Sequence, residues 1–139
     1  MCMYTLVRHF LVFGFALCGV ACSHVDEITP RSYVSLVTGH AMPLKIEIAK
    51  ALIANPGKPV PQAGALQLKP PPGLIQMKFD FGWVTTGGAI IIQSKEYSVV
   101  VVQEPTVVES SVKWSCVVQP PEAKPSICGS EHENQSPQK

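Results

Sequence analysis

Apolar residues recur along residues 30–54 at the spacing of one face of an α-helix. The steps between them are three or four residues, in the set Val34, Val37, Ala41, Leu44, Ile48 and Leu52. Thr29 is a suitable N-cap and Pro30 a suitable first helical residue, while Asn-Pro-Gly at 55–57 is a strong stop. The pattern predicts an amphipathic helix over residues 30–54.

Two features qualify that helix. Pro43 has no amide hydrogen to donate, so we expect a kink near Gly39 while the apolar periodicity continues in register. The polar residues of this segment lie largely off the apolar stripe: Arg31, Ser35, Lys45, Glu47 and Lys50.

Residues 56–73 contain six prolines and three glycines. That density predicts a long irregular loop running over the surface, with polyproline geometry only at residues 70–72. The predicted sheet begins after it, at residue 74.

From residue 74 the apolar period changes to two, which is the period of a β-strand. One face would carry the core residues Ile75, Met77, Phe79, Phe81 and Trp83, and the other Lys78 and Asp80. Three more strands are predicted at residues 89–93, 97–103 and 112–118, with Pro105 ending the second of these. Short connections favour an antiparallel meander over 74–118. The expected fold is therefore α+β, with the amphipathic helix packed on a four-stranded antiparallel sheet.

The first 23 residues are typical of an export segment. Arg8 and His9 form a short cationic region, and residues 10–21 carry no charge. Twelve residues are fewer than the roughly 20 that span a bilayer, and suit a signal peptide. Small residues at 19 and 21 favour cleavage before Cys22, which also resembles a bacterial lipid-attachment cysteine. Simple cleavage, lipidation at Cys22 and a retained membrane segment stay open.

Export would place the rest of the chain, residues 24–129 and a tail, in an oxidising compartment. The two cysteines of that part, Cys116 and Cys128, are then expected to pair with each other. Residues 130–139 hold almost no apolar side chain and are expected to be disordered.

Charge and motifs argue against several function classes. Eleven Lys and Arg against ten Asp and Glu give a net charge of +1, too balanced for nucleic acid as the main partner. The histidines, His9, His24, His40 and His132, form no metal-binding spacing, and no Cys-x-x-Cys occurs. No nucleophile–base grouping is present, so we expect neither an enzyme nor a cofactor or metal site.

The helical part and the C-terminal cysteines together resemble a type IV pilin. The matching residues are Arg31-Ser-x-Val34-Ser35, Leu44-Lys45-x-x-Ile48-Ala49, then the Gly-Pro-rich loop, four strands, Trp114-Ser115-Cys116 and Lys124-Pro125-Ser126-Ile127-Cys128. They span residues 29–129, and the last two are similar to the pilin disulfide region. The resemblance implies a structural or adhesive subunit of the bacterial cell surface, with other pilin subunits or envelope proteins as partners. The disulfide loop 116–128 and the Pro-rich loop would be its contact surfaces.

The N-terminal segment departs from the pilin pattern. Arg8 stands where the family has a glutamate that is buried in the filament core and paired with a neighbouring subunit's amine. A buried, unpaired arginine costs several kcal/mol. We therefore expect an exported, membrane-associated protein that forms filaments poorly on its own. The alternative is a non-polymerising pilin-like binding protein, exported or lipid-anchored.

Overall fold

A computed structural model of the chain describes residues 28–68 and 77–129. The predicted export segment with Cys22, the residue Ile75 and the tail 130–139 lie outside the described residues. The elements are α1 (Pro30–His40), α2 (Met42–Ala54), β1 (Gly64–Ala65), β2 (Phe81–Val84), β3 (Ile90–Ser94), β4 (Val99–Val108), β5 (Ser111–Gln119) and a 3₁₀ turn (Pro121–Ala123).

The predicted single helix is two helices separated by one residue. The Thr29 hydroxyl accepts a hydrogen bond from the Ser32 amide, as expected of an N-cap. The break falls at Ala41, with Pro43 in the first turn of α2. The Ala41 amide donates to Val37 and the Ala41 carbonyl accepts from the Lys45 amide, so the apolar face continues across the break. The interruption lies at Ala41, two residues beyond Gly39, and it separates two helices where a kink within one helix was expected.

The strands form one antiparallel sheet in the order β1-β2-β3-β4-β5, which is a meander. It has five strands rather than the predicted four, because β1 lies inside the Pro-rich loop. Gly64 and Ala65 pair with Val84 and Trp83, and the Leu66 amide donates to the Gly82 carbonyl. The loop is not wholly irregular because three apolar residues between its prolines are buried in the core. These are Val60, Leu66 and Leu68.

Both helices cover one face of the sheet. Val34, Val37, Ala41 and Ile48 of the predicted stripe are fully buried, and Leu44 and Leu52 pack against them half-buried. The sheet residues that face the helices are Val84, Ile90, Ile92, Val99, Val101, Trp114 and Val118. The α+β architecture is therefore as predicted. Among the described residues, no helix is both long enough and apolar enough to cross a bilayer.

The predicted faces of β2 are wrong. Phe81 and Trp83 point away from the helices and are 46% and 44% exposed, whereas Val84 is buried. The cause is a bend at Asp80, whose Oδ2 accepts the Lys95 amide at 2.6 Å. The bend breaks the period of two, so Phe79 packs on the core before it while Phe81 faces outward after it.

Gly82 tests this corrected arrangement. An added Cβ would lie 2.6 Å from the Phe79 ring and 2.8 Å from the Leu66 Cβ. Gly82→Ala should therefore lower the free energy of unfolding by about 1–3 kcal/mol through overpacking, measured by urea denaturation. Gly87→Ala is the control, because its nearest neighbour would be 3.9 Å away. Equal losses for both variants would contradict the packing described.

The prediction that Pro105 ends its strand is wrong. Pro105 lies within β4, opposite Trp114. β3 pairs with β4 only as far as Gln103, so beyond that residue no described strand pairs with β4 on its β3 side. A proline is tolerated where its missing amide would face an open edge.

Candidate functional site

The C-terminal cysteines are joined as a disulfide. Cys116 comes from β5, Cys128 from the loop that follows, and their Cα atoms are 5.3 Å apart. β5 alternates as predicted, with Trp114 and Val118 buried on the helix side. The two cysteines are 12 residues apart in sequence, so the bond ties the C-terminal loop to the middle of β5.

A second attachment holds the same loop to α1. The Arg31 guanidinium donates from Nε and Nη2 to the Glu122 carbonyl at 3.2 and 2.9 Å. The loop alternates between inward and outward side chains: Ala123, Pro125 and Cys128 are buried, whereas Glu122, Lys124, Ser126 and Ile127 are exposed. The loop backbone is therefore held at two points while Glu122, Lys124 and Ile127 present a charge of each sign and one aliphatic group to solvent.

Lys45, which is among the residues predicted to lie largely off the apolar stripe, is buried and only 3% exposed. Its Nζ lies 4.7 Å from the centroid of the Trp114 ring, a cation–π arrangement that offsets part of the cost of burying the charge. Trp114 therefore links α2 to β5, immediately beside the disulfide.

Gln103 is buried on the helix side of β4, directly opposite Cys116. Neither side-chain amide atom has a hydrogen-bond partner among the described residues, and the same holds for the Thr38 hydroxyl and His40 Nδ1. Thr38 and His40 lie on α1 and Gln103 lies on β4.

Tyr33 fixes the start of the helical layer to the chain before β2. Its hydroxyl donates to the Lys78 carbonyl at 2.7 Å, and its ring stacks on Tyr97 with centroids 4.3 Å apart. Burial raises the pKa of the Tyr33 hydroxyl above its ordinary value of 10.0, so the donor is kept at neutral pH. The hydrogen bond from Tyr33 therefore stabilises the fold fully at pH values below the ordinary tyrosine pKa. This contribution is lost as pH rises through the higher pKa that Tyr33 has in the folded protein.

The sheet face opposite the helices is a surface that sequence reasoning missed. One row of directly paired residues crosses all five strands and is entirely apolar: Ala65, Trp83, Ile91, Val102 and Val117. Val117 is 54% exposed, the most of any large apolar side chain described. The signal for this face was present in the sequence, because Ile91, Val102 and Val117 break the polar alternation expected of a solvated face.

The predicted site residues fall into two groups. Cys116 and Cys128 are brought together, whereas Cys22 lies outside the described residues. His40 is half-buried on α1. Within the described residues, no three His, Cys, Asp or Glu side chains lie close enough together to hold a metal ion.

Comparisons with protein families, with curated proteins and with solved structures give no match to this chain.

Proposed function

We propose that this chain is an exported, pilin-like subunit of a bacterial cell envelope that acts by protein contact and not by catalysis. The observation that carries the proposal is the disulfide between β5 and the C-terminal loop, set on a sheet that one helical layer covers. A disulfide of this kind persists in an oxidising compartment. It agrees with the export signal suggested by residues 1–23.

The C-terminal loop is the contact surface in this proposal. The disulfide and Arg31 hold its backbone at two points, so little conformational entropy is lost when its exposed residues meet a partner. Glu122, Lys124 and Ile127 then offer a charge of each sign and an apolar contact. The partners would be other pilin-like subunits or envelope proteins.

Arg8 favours the non-polymerising form of this function. A positive charge near the start of the apolar segment would be buried without an acid in a homopolymer, and each added subunit would repeat the cost. The chain would then act outside a homopolymeric filament, or as a minor component beside a subunit that supplies the acid.

The test is expression of the full chain in a bacterium that has a type IV pilus machinery. Mass spectrometry of the mature N-terminus distinguishes cleavage before Cys22, lipidation at Cys22 and a retained segment. We expect most of the protein in the envelope fraction, oxidised at Cys116 and Cys128, and little in sheared filaments. Arg8→Glu is the matched variant and should increase the sheared fraction.

Two outcomes would contradict parts of the proposal. Cytoplasmic protein with free thiols at Cys116 and Cys128 would contradict export and the envelope function. Abundant sheared homopolymer of the unsubstituted chain would keep the pilin-like function but overturn the non-polymerising form.

A further inference from the structure

β5 is a nine-residue strand at the edge of the sheet, with β4 as its only neighbour among the described strands. The two-residue turn before it closes on the Val108–Ser111 pair, so the odd-numbered residues of β5 hydrogen-bond with β4. The N–H and C=O groups of Val112, Trp114, Cys116 and Val118 therefore point to the open side. No described backbone group outside the sheet bonds to them.

We propose that β5 pairs antiparallel with β5 of a second copy, joining two five-stranded sheets into one of ten strands. This interaction goes beyond the proposed envelope function and does not depend on it. Its register is centred on Ser115, which then lies on the two-fold axis opposite Ser115 of the other copy.

This register matches the strand to itself over its full length. Ser111 meets Gln119, Val112 meets Val118, and Trp114 meets Cys116. Each of the outward-pointing residues then lies opposite another outward-pointing residue. The pairing satisfies every open N–H and C=O of β5 from Val112 to Val118 with main-chain hydrogen bonds.

The charges are compatible with a second copy in this register. Lys113 is the only charged residue of β5, and edge lysines ordinarily discourage strand pairing. With Ser115 on the axis, Lys113 lies opposite Val117, and the two lysines are four residues apart, about 14 Å along the strand. That exceeds the screening length of about 8 Å at physiological salt. A shift of the axis to residue 113 would place the two lysines face to face, so charge disfavours that register, and the axis at Ser115 is the one that pairs β5 over its full length.

The apolar outer row supports the same partner. Val117 ends that row at the open edge, and the aliphatic stem of the other copy's Lys113 would lie across it. The outer faces of the two copies would join into one continuous surface. Strand pairing alone makes a small interface, so we expect a weak dimer that must be trapped.

Ser115→Cys in the full chain tests the register directly. Ser115 is exposed, and its pair across the axis would be of the non-hydrogen-bonded type, with Cα atoms about 4.5 Å apart, within the range of a disulfide. Mild oxidation with copper phenanthroline, followed by peptide mapping, should give a link between position 115 of the two copies. Mapping separates this link from any formed by the native cysteines.

Ser111→Cys and Thr106→Cys are the matched controls. Both positions are exposed on the same sheet face, but neither would lie opposite itself in the dimer. Their homodimer yields should be at least about tenfold lower than that of Ser115→Cys, since their Cα separations exceed the disulfide range. Mixing Ser111→Cys with Gln119→Cys should restore cross-linking.

Val117→Lys in the Ser115→Cys background probes the charge argument. It puts like charges opposite each other twice per dimer, so the cross-link yield should fall about tenfold, whereas Val108→Lys should leave it unchanged. Far-ultraviolet circular dichroism checks that each variant is folded. Equal yields from Ser115→Cys, Ser111→Cys and Thr106→Cys, or no 115–115 link in folded protein, would overturn the proposal.

Discussion

Replacing Ile48 by alanine should lower the free energy of unfolding by about 2–5 kcal/mol. Ile48 is fully buried on α2, at the centre of the layer that covers the sheet. A Cβ added at Gly88 would lie 2.6 Å from its Cγ2, so the side chain fills the space above the turn between β2 and β3. The loss combines the transfer free energy of the removed methyl groups with the cavity left behind. Urea denaturation followed by tryptophan fluorescence and circular dichroism measures it.

Ile46→Ala is the matched control, since Ile46 is on the same helix and 51% exposed. It should change the free energy of unfolding by no more than about 0.5 kcal/mol. Similar losses at residues 46 and 48 would mean that α2 packs through a different face from the one described.

The helical layer could be predicted because one periodicity determined it. At α-helical spacing, Val34, Val37 and Ile48 lie on one face of the helix. That apolar face packs on the apolar face of the sheet. Even the break at Ala41 has a local cause in Pro43. Lys45 follows Ala41 by four residues and precedes Ile48 by three, so helical spacing places it beside the buried stripe. The contact with the Trp114 ring could not be predicted, because Trp114 lies on a strand far away in sequence.

The sheet was harder to predict where distant partners decide the outcome. The apolar alternation through Phe79, Phe81 and Trp83 is uninterrupted in sequence. In the structure the chain bends at Asp80, whose carboxylate accepts a hydrogen bond from the Lys95 amide. β1 exists because β2 offers Gly64 and Ala65 an edge to pair with. These events depend on contacts between residues far apart in sequence, which propensity does not report.

The proposed contact surfaces also differ in how far they could be predicted from the sequence. The cysteine pairing followed from there being two cysteines in the part expected to be exported. The open edge of β5 and the apolar outer row depend on strand order and register, which become known only when the meander is in place. A one-residue change of register would have put Trp83 and Val117 on the helix side instead.

The disulfide should contribute about 3 kcal/mol to stability, according to the chain-entropy model for a loop of this length. Cys128→Ala or Cys116→Ala should remove that amount, because the unfolded chain is freed while most of the folded contacts remain. Cys128 is also buried, so the alanine leaves a small cavity that adds to the loss at this position. Urea denaturation of the oxidised protein, compared with each variant, gives the difference.

Reduction of the unsubstituted protein provides an independent measurement. Dithiothreitol should lower its stability to about that of Cys116→Ala and should leave both variants unchanged.

Arg31→Ala removes the second attachment of the loop, but not the covalent one, and its effect should be smaller, about 1–2 kcal/mol for two hydrogen bonds from a charged donor. If Arg31→Ala were as damaging as loss of the disulfide, folded-state contacts rather than the restricted unfolded chain would account for the stabilisation of this loop. Native-state hydrogen exchange distinguishes the two cases, since a loop held mainly by Arg31 would lose amide protection at Ala123 and Lys124 in Arg31→Ala while the disulfide stays intact.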